Sequence, residues 1–121
     1  MANYERFIAW QHAHGLTMAV YRATACFPSD ERYGLTSQAR RAAFSAAANI
    51  VEGSARKGSR EFQHFLNIAL GSLAELEYII RLSRELGYLD AETGEALDAQ
   101  CRTASKTTWG LMRSLTRAPP R

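Results

Sequence analysis

The sequence predicts an all-α fold, an antiparallel up-down-up-down bundle of four helices in a single domain over residues 1–121. Three observations predict this fold. Long segments repeat apolar residues at three- and four-residue steps, which is the period of an amphipathic helix. Only eight glycines and three prolines interrupt the 121 residues. The segments are joined by short connections, which bring consecutive helices side by side in opposite directions.

The first helix is predicted from Tyr4 to Cys26, with Asn3 as a candidate N-cap. Pro28 ends it, because the residue before a proline is pushed out of the helical region. Residues 27–35 form the connection, with Pro, Ser, Asp and Gly in turn-forming positions. Gly15 indicates close packing inside the helix. The main stripe is expected to consist of Phe7, Trp10, His14, Thr17, Tyr21 and Thr24, with Ala13, Leu16 and Val20 beside it.

The second helix is predicted to start near Thr36 or Ser37 and to extend to about Lys57. It contains the alanine-rich stretch 38–53, whose small side chains favour a helix and let a neighbour approach closely. The face predicted to pack consists of Ala39, Ala42, Ala43, Ala46 and Ile50. The polar stripe predicted to form an alternating-charge network consists of Arg41, Ser45, Asn49, Glu52 and Arg56.

Gly58 is the expected stop of the second helix and Ser59 the expected cap of the third, which covers about residues 60–86. Gly71 and Ser72 lie near the middle of this helix, and small residues there predict a tight crossing with another helix.

Gly87 stands where a left-handed residue commonly ends a helix. Asp90 then caps a fourth helix, and Glu92 is favourably placed in its first turn. The tail from about residue 118 is expected to be disordered. The apolar seam of the fourth helix alternates steps of four and three residues, through Leu97, Cys101, Ala104, Thr108, Leu111 and Leu115.

Charge is distributed unevenly along the chain. The net charge is +3, but residues 1–98 carry ten basic and twelve acidic side chains, whereas residues 99–121 carry five basic side chains and no acidic one. Four of these five cations and one tryptophan lie within about 80° of one another on the fourth helix, opposite the seam. They are Arg102, Lys106, Trp109, Arg113 and Arg117.

This stripe has two interpretations. Phosphates attract a row of cations and an exposed indole can stack on a base, which makes the stripe a candidate nucleic-acid-binding surface. Alternatively, the charges form a solvated face and Trp109 packs against a neighbouring subunit. A second cluster at the turn between helices two and three, Arg56, Lys57 and Arg60, either extends the nucleic-acid surface or complements a helix macrodipole.

Three glutamates, Glu52, Glu75 and Glu77, stand in otherwise apolar segments. Because a buried carboxylate must be paired, they are expected to form a structural ion-pair network with nearby arginines. The arginines available are Arg40, Arg41, Arg81 and Arg84.

Glu61 and His64 have the Glu-x-x-His spacing of di-metal bundles, but they flank the apolar stripe and the chain has no second such motif. We therefore expect no metal site and no cofactor. No serine, cysteine or histidine constellation indicates catalysis, and the chain is not expected to be an enzyme.

Cys26 and Cys101 are far apart, with no metal or redox spacing, and are expected to be small buried hydrophobes in a reducing compartment. The first residues do not have the pattern of a secretion signal. No segment approaches the ~18 apolar residues that a membrane span needs. We therefore expect a cytoplasmic protein with no membrane partner.

Several motifs occur in a fixed order over about residues 4–90: QARRAA at 38–43, NIVEG at 49–53, GSLAELE at 71–77 and LGYL at 86–89. In this order the sequence resembles bacterial four-helix-bundle proteins first noticed as open reading frames in intervening sequences of 23S ribosomal RNA genes. The fourth helix resembles the family in length and character alone.

The resemblance implies an antiparallel four-helix bundle that assembles as a ring-like homopentamer. The resemblance also extends to a related branch of the family, the accessory variability determinant of diversity-generating retroelements. That branch is a basic pentamer that binds nucleic acid and a reverse transcriptase. Most members have no established activity. The resemblance implies structural or intersubunit roles for the motif residues, which are Gln38, Arg40, Arg41, Asn49, Glu52, Gly53, Glu75 and Glu77.

The leading hypothesis is a non-enzymatic homo-oligomeric bundle that binds RNA or DNA through the outward basic faces of its fourth helices. The alternative is a protein–protein scaffold without nucleic-acid binding, in which Trp109 and its basic neighbours contact an acidic partner or the next subunit. A metal-dependent enzyme is a third class, which would require stoichiometric bound metal.

Overall fold

A computed structural model describes residues 2–116 and confirms the four-helix bundle. The helices are α1 (Ile8–Thr24), α2 (Leu35–Ser54), α3 (Ser59–Glu85) and α4 (Ala91–Thr116). Short 3-10 turns cover Asn3–Arg6 and Ser29–Glu31. Close backbone contacts join α1 to α2, α2 to α3, α3 to α4 and α4 to α1, and within the described residues none joins a diagonal pair. The helices therefore occupy the corners of a square, and α2 lies diagonally across from α4.

The core has two parts, one in each half of the bundle. We call residues 2–15, 47–72 and 105–116 the basic half, and residues 16–46 and 73–104 the acidic half. The buried core of the basic half includes Ala13, Ile50 and Leu66, and that of the acidic half includes Leu16, Leu73 and Leu76, all between 0% and 1% exposed. The alanine face predicted for α2 is buried throughout, which confirms its packing role: Ala39, Ala42, Ala43, Ala46 and Ile50.

One close approach of α2 to α3 occurs at Gly53, a motif residue. A Cβ atom on Gly53 would lie 2.8 Å from the Phe62 ring and 2.9 Å from Phe65 Cβ. Gly15 and Gly71 are exposed, and a Cβ added to either would meet no other helix within 4 Å, so the close packing predicted at Gly15 is wrong. The crossing predicted at Gly71 and Ser72 is present at Ser72, whose hydroxyl shares a 2.8 Å hydrogen bond with Ser45 of α2. A glycine can also lie on a solvated helix surface, and the sequence does not distinguish the two cases.

The start of α1 differs from the prediction. Residues 3–6 form a 3-10 turn, and Phe7 is extended, with φ −81° and ψ 123°, so α1 begins at Ile8. Asn3 does not cap a helix, because its Nδ2 donates to the Ser54 carbonyl at 3.1 Å and ties the first residues to the end of α2.

The buried face of α1 is rotated from the predicted stripe. It consists of Ala9, Ala13, Leu16, Val20 and Thr24, whereas His14 and Tyr21 lie at the surface. The physical reason is that alanines allow α2 and α4 to approach, and the larger side chains then lie at the edges of the contact. His14 stacks on Trp10 there, with ring centroids 4.8 Å apart.

The remaining helix ends confirm some predictions and correct others. α2 begins at Leu35, because Glu31 Oε1 accepts the Leu35 N–H at 3.0 Å. Gly58, with φ 93°, precedes α3, and Ser59 lies inside α3 instead of capping it. Gly87 ends α3 with φ 79°, as predicted. The Asp90 cap of α4 is also confirmed, since Asp90 Oδ1 accepts the Thr93 N–H at 2.7 Å.

The two cysteines have different environments. Cys101 is fully buried, as predicted, and its thiol donates to the Leu73 carbonyl at 3.5 Å. Burial raises the pKa of Cys101 to about 12. Cys26 is exposed, which contradicts the prediction, because it follows the last residue of α1 beside the connection and lies outside the core.

Candidate nucleic-acid interface

The outer face of α4 is fixed by the seam on its inner face. Leu97, Cys101, Ala104 and Thr108 are buried, and Leu111 and Leu115 are half-buried, which confirms the seam. The opposite face must then point to solvent. Its exposed residues are Arg102, Lys106, Trp109 and Arg113, and we call them the α4 stripe. Arg117, predicted to continue the stripe, lies outside the described residues.

The cations of the α4 stripe are not neutralised by neighbouring carboxylates. Residues 2–116 contain three ion pairs, and none of them includes a stripe residue. Arg102 lines a groove that also contains Glu77 and Asp98, whereas Lys106 and Arg113 lie farther along α4 in the basic half. Trp109, between them, is 49% exposed. A hydrated cation beside a half-exposed indole is a surface suited to phosphate and base contacts.

The cluster at the α2–α3 turn divides into two kinds of residue. Arg56 donates to Glu52 at 2.7 Å, and its guanidinium lies 5.0 Å from the centroid of the Phe65 ring, so it stabilises the turn. Lys57 and Arg60 are exposed and have no such partner within the described residues. Arg60 lies in the first turn of α3, where the macrodipole disfavours a cation. Complementing a helix dipole therefore does not explain Arg60.

The fold brings this cluster to the same half of the bundle as Lys106, Trp109 and Arg113 of the α4 stripe, whereas Arg102 lies just inside the acidic half. Phe62, next to the cluster in sequence, belongs to the same core as Leu111 and Leu115 of α4. The basic half contains six basic and three acidic side chains, and the acidic half contains seven basic and nine acidic ones. The bundle is thus electrically polarised along its axis.

The predicted glutamate network does not form within one chain. Glu52 pairs with Arg56, its neighbour one turn away, and the side chains of this pair are 54% and 43% exposed. Glu75 and Glu77 are exposed and form no ion pair in residues 2–116. The prediction is wrong because these glutamates point outward from α2 and α3, so burial imposes no need for a partner.

The predicted arginine partners make other contacts. Arg81 donates to Glu85 at 2.9 Å, and Arg84 pairs with Asp98 of α4. Arg40 Nε donates to Thr24 Oγ1 at 2.9 Å. Arg84 also packs against α4 at Gly94, where an added Cβ would lie 2.7 Å from Arg84 Nε. The contacts of Arg40 and Arg84 link neighbouring helices, whereas the Arg81–Glu85 pair lies within α3.

Four of the motif residues gather on one surface instead, which we call the α2–α3 groove. This groove has a volume of about 410 Å³ and includes Gln38, Arg41, Asn49 and Glu75. Ser45 and Ser72 also line it and share a hydrogen bond of 2.8 Å across the two helices. Since α2 is diagonal to α4, the α2–α3 groove and the α4 stripe lie on different sides of the molecule.

A family-level sequence comparison matches residues 5–110, which cover α1, α2, α3 and most of α4. The chain belongs to the 23S rRNA-intervening sequence protein family. The match extends through most of α4 and includes Arg102, Lys106 and Trp109, beyond the region where the sequence motifs are specific.

The chain is also similar to a solved protein of unknown function from the S23 ribosomal protein family of Bacteroides thetaiotaomicron VPI-5482, whose crystal structure was determined at 1.70 Å resolution. The TM-score is 0.78 at 20% sequence identity, and the match covers 88% of this chain and 99% of that one. At this identity the similarity shows the shared fold. The comparison with curated proteins gives no significant match.

The Glu-x-x-His motif of α3 lies at the surface of the bundle. Glu61 and His64 are both exposed, and within residues 2–116 no three His, Cys, Asp or Glu side chains gather as a metal site. None of the helices in that region is both long and apolar enough to cross a bilayer.

One further surface of the bundle is not predicted by any pattern in the sequence. Three arginines and three aromatic rings line a depression of about 410 Å³ between α1, the α1–α2 connection and the first half of α2. We call it the arginine–aromatic depression, and these residues are Arg32, Arg40, Arg41, Tyr21, Tyr33 and Phe44. They belong to three elements, so no local pattern groups them.

Proposed function

We propose that this member of the 23S rRNA-intervening sequence protein family is a non-enzymatic homo-oligomer that binds RNA or DNA through its basic half. The binding surface consists of the α4 stripe, extended by Lys57 and Arg60. Arg102, the first cation of the stripe, lies just across the boundary in the acidic half. The observation that carries the proposal is a row of exposed cations that form no ion pair within residues 2–116, interrupted by a half-exposed tryptophan.

The dimensions of the α4 stripe suit a nucleic-acid backbone. From Arg102 to Arg113 the helix rises about 17 Å. One strand of a duplex places a phosphate about every 3.4 Å along the axis, so the stripe spans about five phosphates. The Trp109 indole adds a planar surface for an unpaired base. The binding expected from such a surface is electrostatic and largely independent of sequence.

Homo-oligomerisation is supported by the position of the α2–α3 groove. The resemblance implies a pentamer with intersubunit roles for motif residues, and Gln38, Asn49 and Glu75 lie in this groove at the surface. Ile68 of α3 is 41% exposed on the same pair of helices. Subunits that pack through this side leave α4 pointing away from the contact. Each copy then adds one α4 stripe, and the weak contacts add by avidity.

A cytoplasmic location is part of the proposal. Both cysteines are free thiols, which a reducing compartment maintains.

The alternative function is a protein–protein scaffold, and Trp109 is the observation that favours it. Tryptophan and arginine are enriched in protein interfaces. In this case the α4 stripe binds an acidic protein surface, and oligonucleotides do not displace that protein from the stripe.

Fluorescence anisotropy of labelled single- and double-stranded oligonucleotides across a salt series tests the proposal, after light scattering has given the oligomer mass. We expect an oligomer whose affinity falls steeply with salt. Arg113→Gln should weaken binding to all sequences and reduce the salt slope by about 1 per subunit contact. Arg22→Gln is the matched control, because Arg22 is also an exposed helix arginine but lies in the acidic half. Equal effects of the two variants would contradict the proposed surface.

A further inference from the structure

The arginine–aromatic depression has a chemically uniform lining. Besides its three arginines and three aromatic rings, it is lined by Thr36 and Ser37. Its residues therefore offer guanidinium groups, aromatic faces and hydroxyls, and they include no carboxylate. Its volume of about 410 Å³ lies within the range of small-molecule sites, which is about 300–1,000 Å³.

The three guanidinium groups of the depression, those of Arg32, Arg40 and Arg41, are not paired with carboxylates in residues 2–116. Arg40 is held by neutral acceptors, since its Nε donates to Thr24 Oγ1 at 2.9 Å and its Nη2 donates to the Tyr21 carbonyl at 3.3 Å. A positioned guanidinium with free N–H groups is well suited to a phosphate, which it can bind with two parallel hydrogen bonds.

The aromatic rings present their surfaces to solvent. Tyr33 is 86% exposed, Phe44 is 61% exposed and Tyr21 is 46% exposed. The Arg40 guanidinium lies 4.8 Å from the centroid of the Tyr21 ring. This contact helps to hold the Arg40 side chain at the bottom of the depression. The Arg32 guanidinium lies 5.4 Å from the centroid of the Tyr33 ring and occupies one of its faces. The rest of the Tyr33 ring and the Phe44 ring are exposed, and a planar heterocycle stacks on such rings.

The acidic residues of the adjoining connection do not line the depression. Glu31 Oε1 accepts the Leu35 N–H at 3.0 Å, and its Oε2 accepts the Tyr88 hydroxyl at 2.9 Å. The larger groove between α3 and α4, by contrast, is lined by three arginines and three acidic residues and offers no net charge to an anion. The depression is therefore the cavity with the clearest preference for an anionic ligand among those in residues 2–116.

We propose that the arginine–aromatic depression binds a nucleoside phosphate, with the phosphate on Arg40 and Arg41 and the base on the rings of Tyr33 and Phe44. The ligand is a free nucleotide or an unpaired nucleotide of a strand, because both present this chemistry. The site lies in the acidic half, apart from the α4 stripe, and its existence does not depend on duplex binding by the basic half. Arg41 and Phe44 also line the α2–α3 groove. The proposal therefore requires that subunits contact this side around Asn49 and Ile68 and leave Arg41 and Phe44 accessible.

Isothermal titration calorimetry of the full-length protein with adenosine 5′-monophosphate tests this site. Adenosine and inorganic phosphate are titrated separately, and each should bind more weakly than the nucleotide. Arg41→Gln and Tyr33→Ser should each weaken nucleotide binding about tenfold, because one loses a charge-assisted hydrogen bond and the other a stacking surface. The matched controls are Arg22→Gln and Tyr78→Ser, which change exposed residues of the same types outside the depression and should stay within about twofold.

A 5′-phosphorylated tetra-adenylate distinguishes the two sources of ligand. Binding that is tighter than that of the mononucleotide and is weakened by Arg41→Gln and Tyr33→Ser assigns the site to a strand, and binding equal to that of the mononucleotide with the same weakening assigns it to a free nucleotide. Either result supports the site.

Three results would overturn the proposal. They are no heat of binding at millimolar nucleotide, equal loss in the controls, or a reduced oligomer mass for Arg41→Gln and Tyr33→Ser without nucleotide binding, which would mean that a second copy covers the depression. Duplex binding is measured in parallel, so failure at this site is separate from failure of the basic half.

Discussion

The two halves of the bundle have similar interiors and opposite surfaces. Each half is held by small and aliphatic residues at nearly zero exposure, as at Leu66 in the basic half and Leu73 in the acidic half. Their surfaces differ, because six basic and three acidic side chains cover one half while seven basic and nine acidic ones cover the other. Packing does not require this polarity, since an evenly mixed surface would leave the same core. We propose that the polarity serves the binding of a strongly charged partner.

The largest effect is expected in the core, where the two halves should respond alike. Leu66→Ala and Leu73→Ala each remove a fully buried side chain and leave a cavity. Each should lower the free energy of unfolding by about 2–5 kcal/mol, measured by urea denaturation. If one variant lowers the free energy of unfolding by less than about 1 kcal/mol, the core of that half is loosely packed and the two interiors are not alike.

The next effect is on nucleic-acid affinity, where the halves should differ. Lys106→Glu combined with Arg113→Glu reverses the charge of the α4 stripe and should reduce duplex affinity at least about tenfold at low salt, because phosphate contacts are replaced by repulsion. Reversing Arg22 alone, in the acidic half, should have little effect. The measurement is anisotropy at matched ionic strength, with circular dichroism as the check that both variants remain helical. Unchanged duplex affinity in the double variant would show that the charge difference between the two halves does not contribute to nucleic-acid binding.

The smallest effect concerns the start of α4, in the acidic half. The Thr93 N–H donates to Asp90 and lowers the pKa of that carboxyl below its ordinary value of 3.8. A lowered pKa means that the cap stabilises the folded state above about pH 3.8, and that this contribution is lost as the pH falls through the folded-state value. Wild type should therefore be more stable than Asp90→Ala at pH 6, and the difference should shrink toward pH 2 in thermal melts. A difference that is constant with pH would show that the carboxylate charge does not act at the cap.

Local chemistry made part of the fold predictable. Gly87 and Asp90 act within one turn of their own positions, so the end of α3 and the start of α4 follow from a few consecutive residues. The seam of α4 is a periodic pattern along one helix, and it placed the α4 stripe on the outer face. These features needed no knowledge of where the other helices lie.

Features that depend on two or more elements were not predictable in this way. Gly53 and Gly15 look equivalent in sequence, and only the position of Phe62 makes the first a close contact. The aromatic residues of α1 were assigned to the core, but the alanine face of the same helix permits closer packing. The arginine–aromatic depression joins α1, the connection and α2, so its residues share no spacing.

The most direct test of the central claim uses Trp109 itself. The sequence contains two tryptophans, and in a Trp10→Phe variant Trp109 is the only one left to report. If bases stack on the α4 stripe, a single-stranded oligonucleotide should quench the Trp109 fluorescence, and the quenching should reverse as salt is raised. Oligonucleotide binding detected by anisotropy with unchanged Trp109 fluorescence would place the nucleic acid elsewhere and contradict the account. An absence of any binding at low salt would leave the α4 stripe to a protein partner.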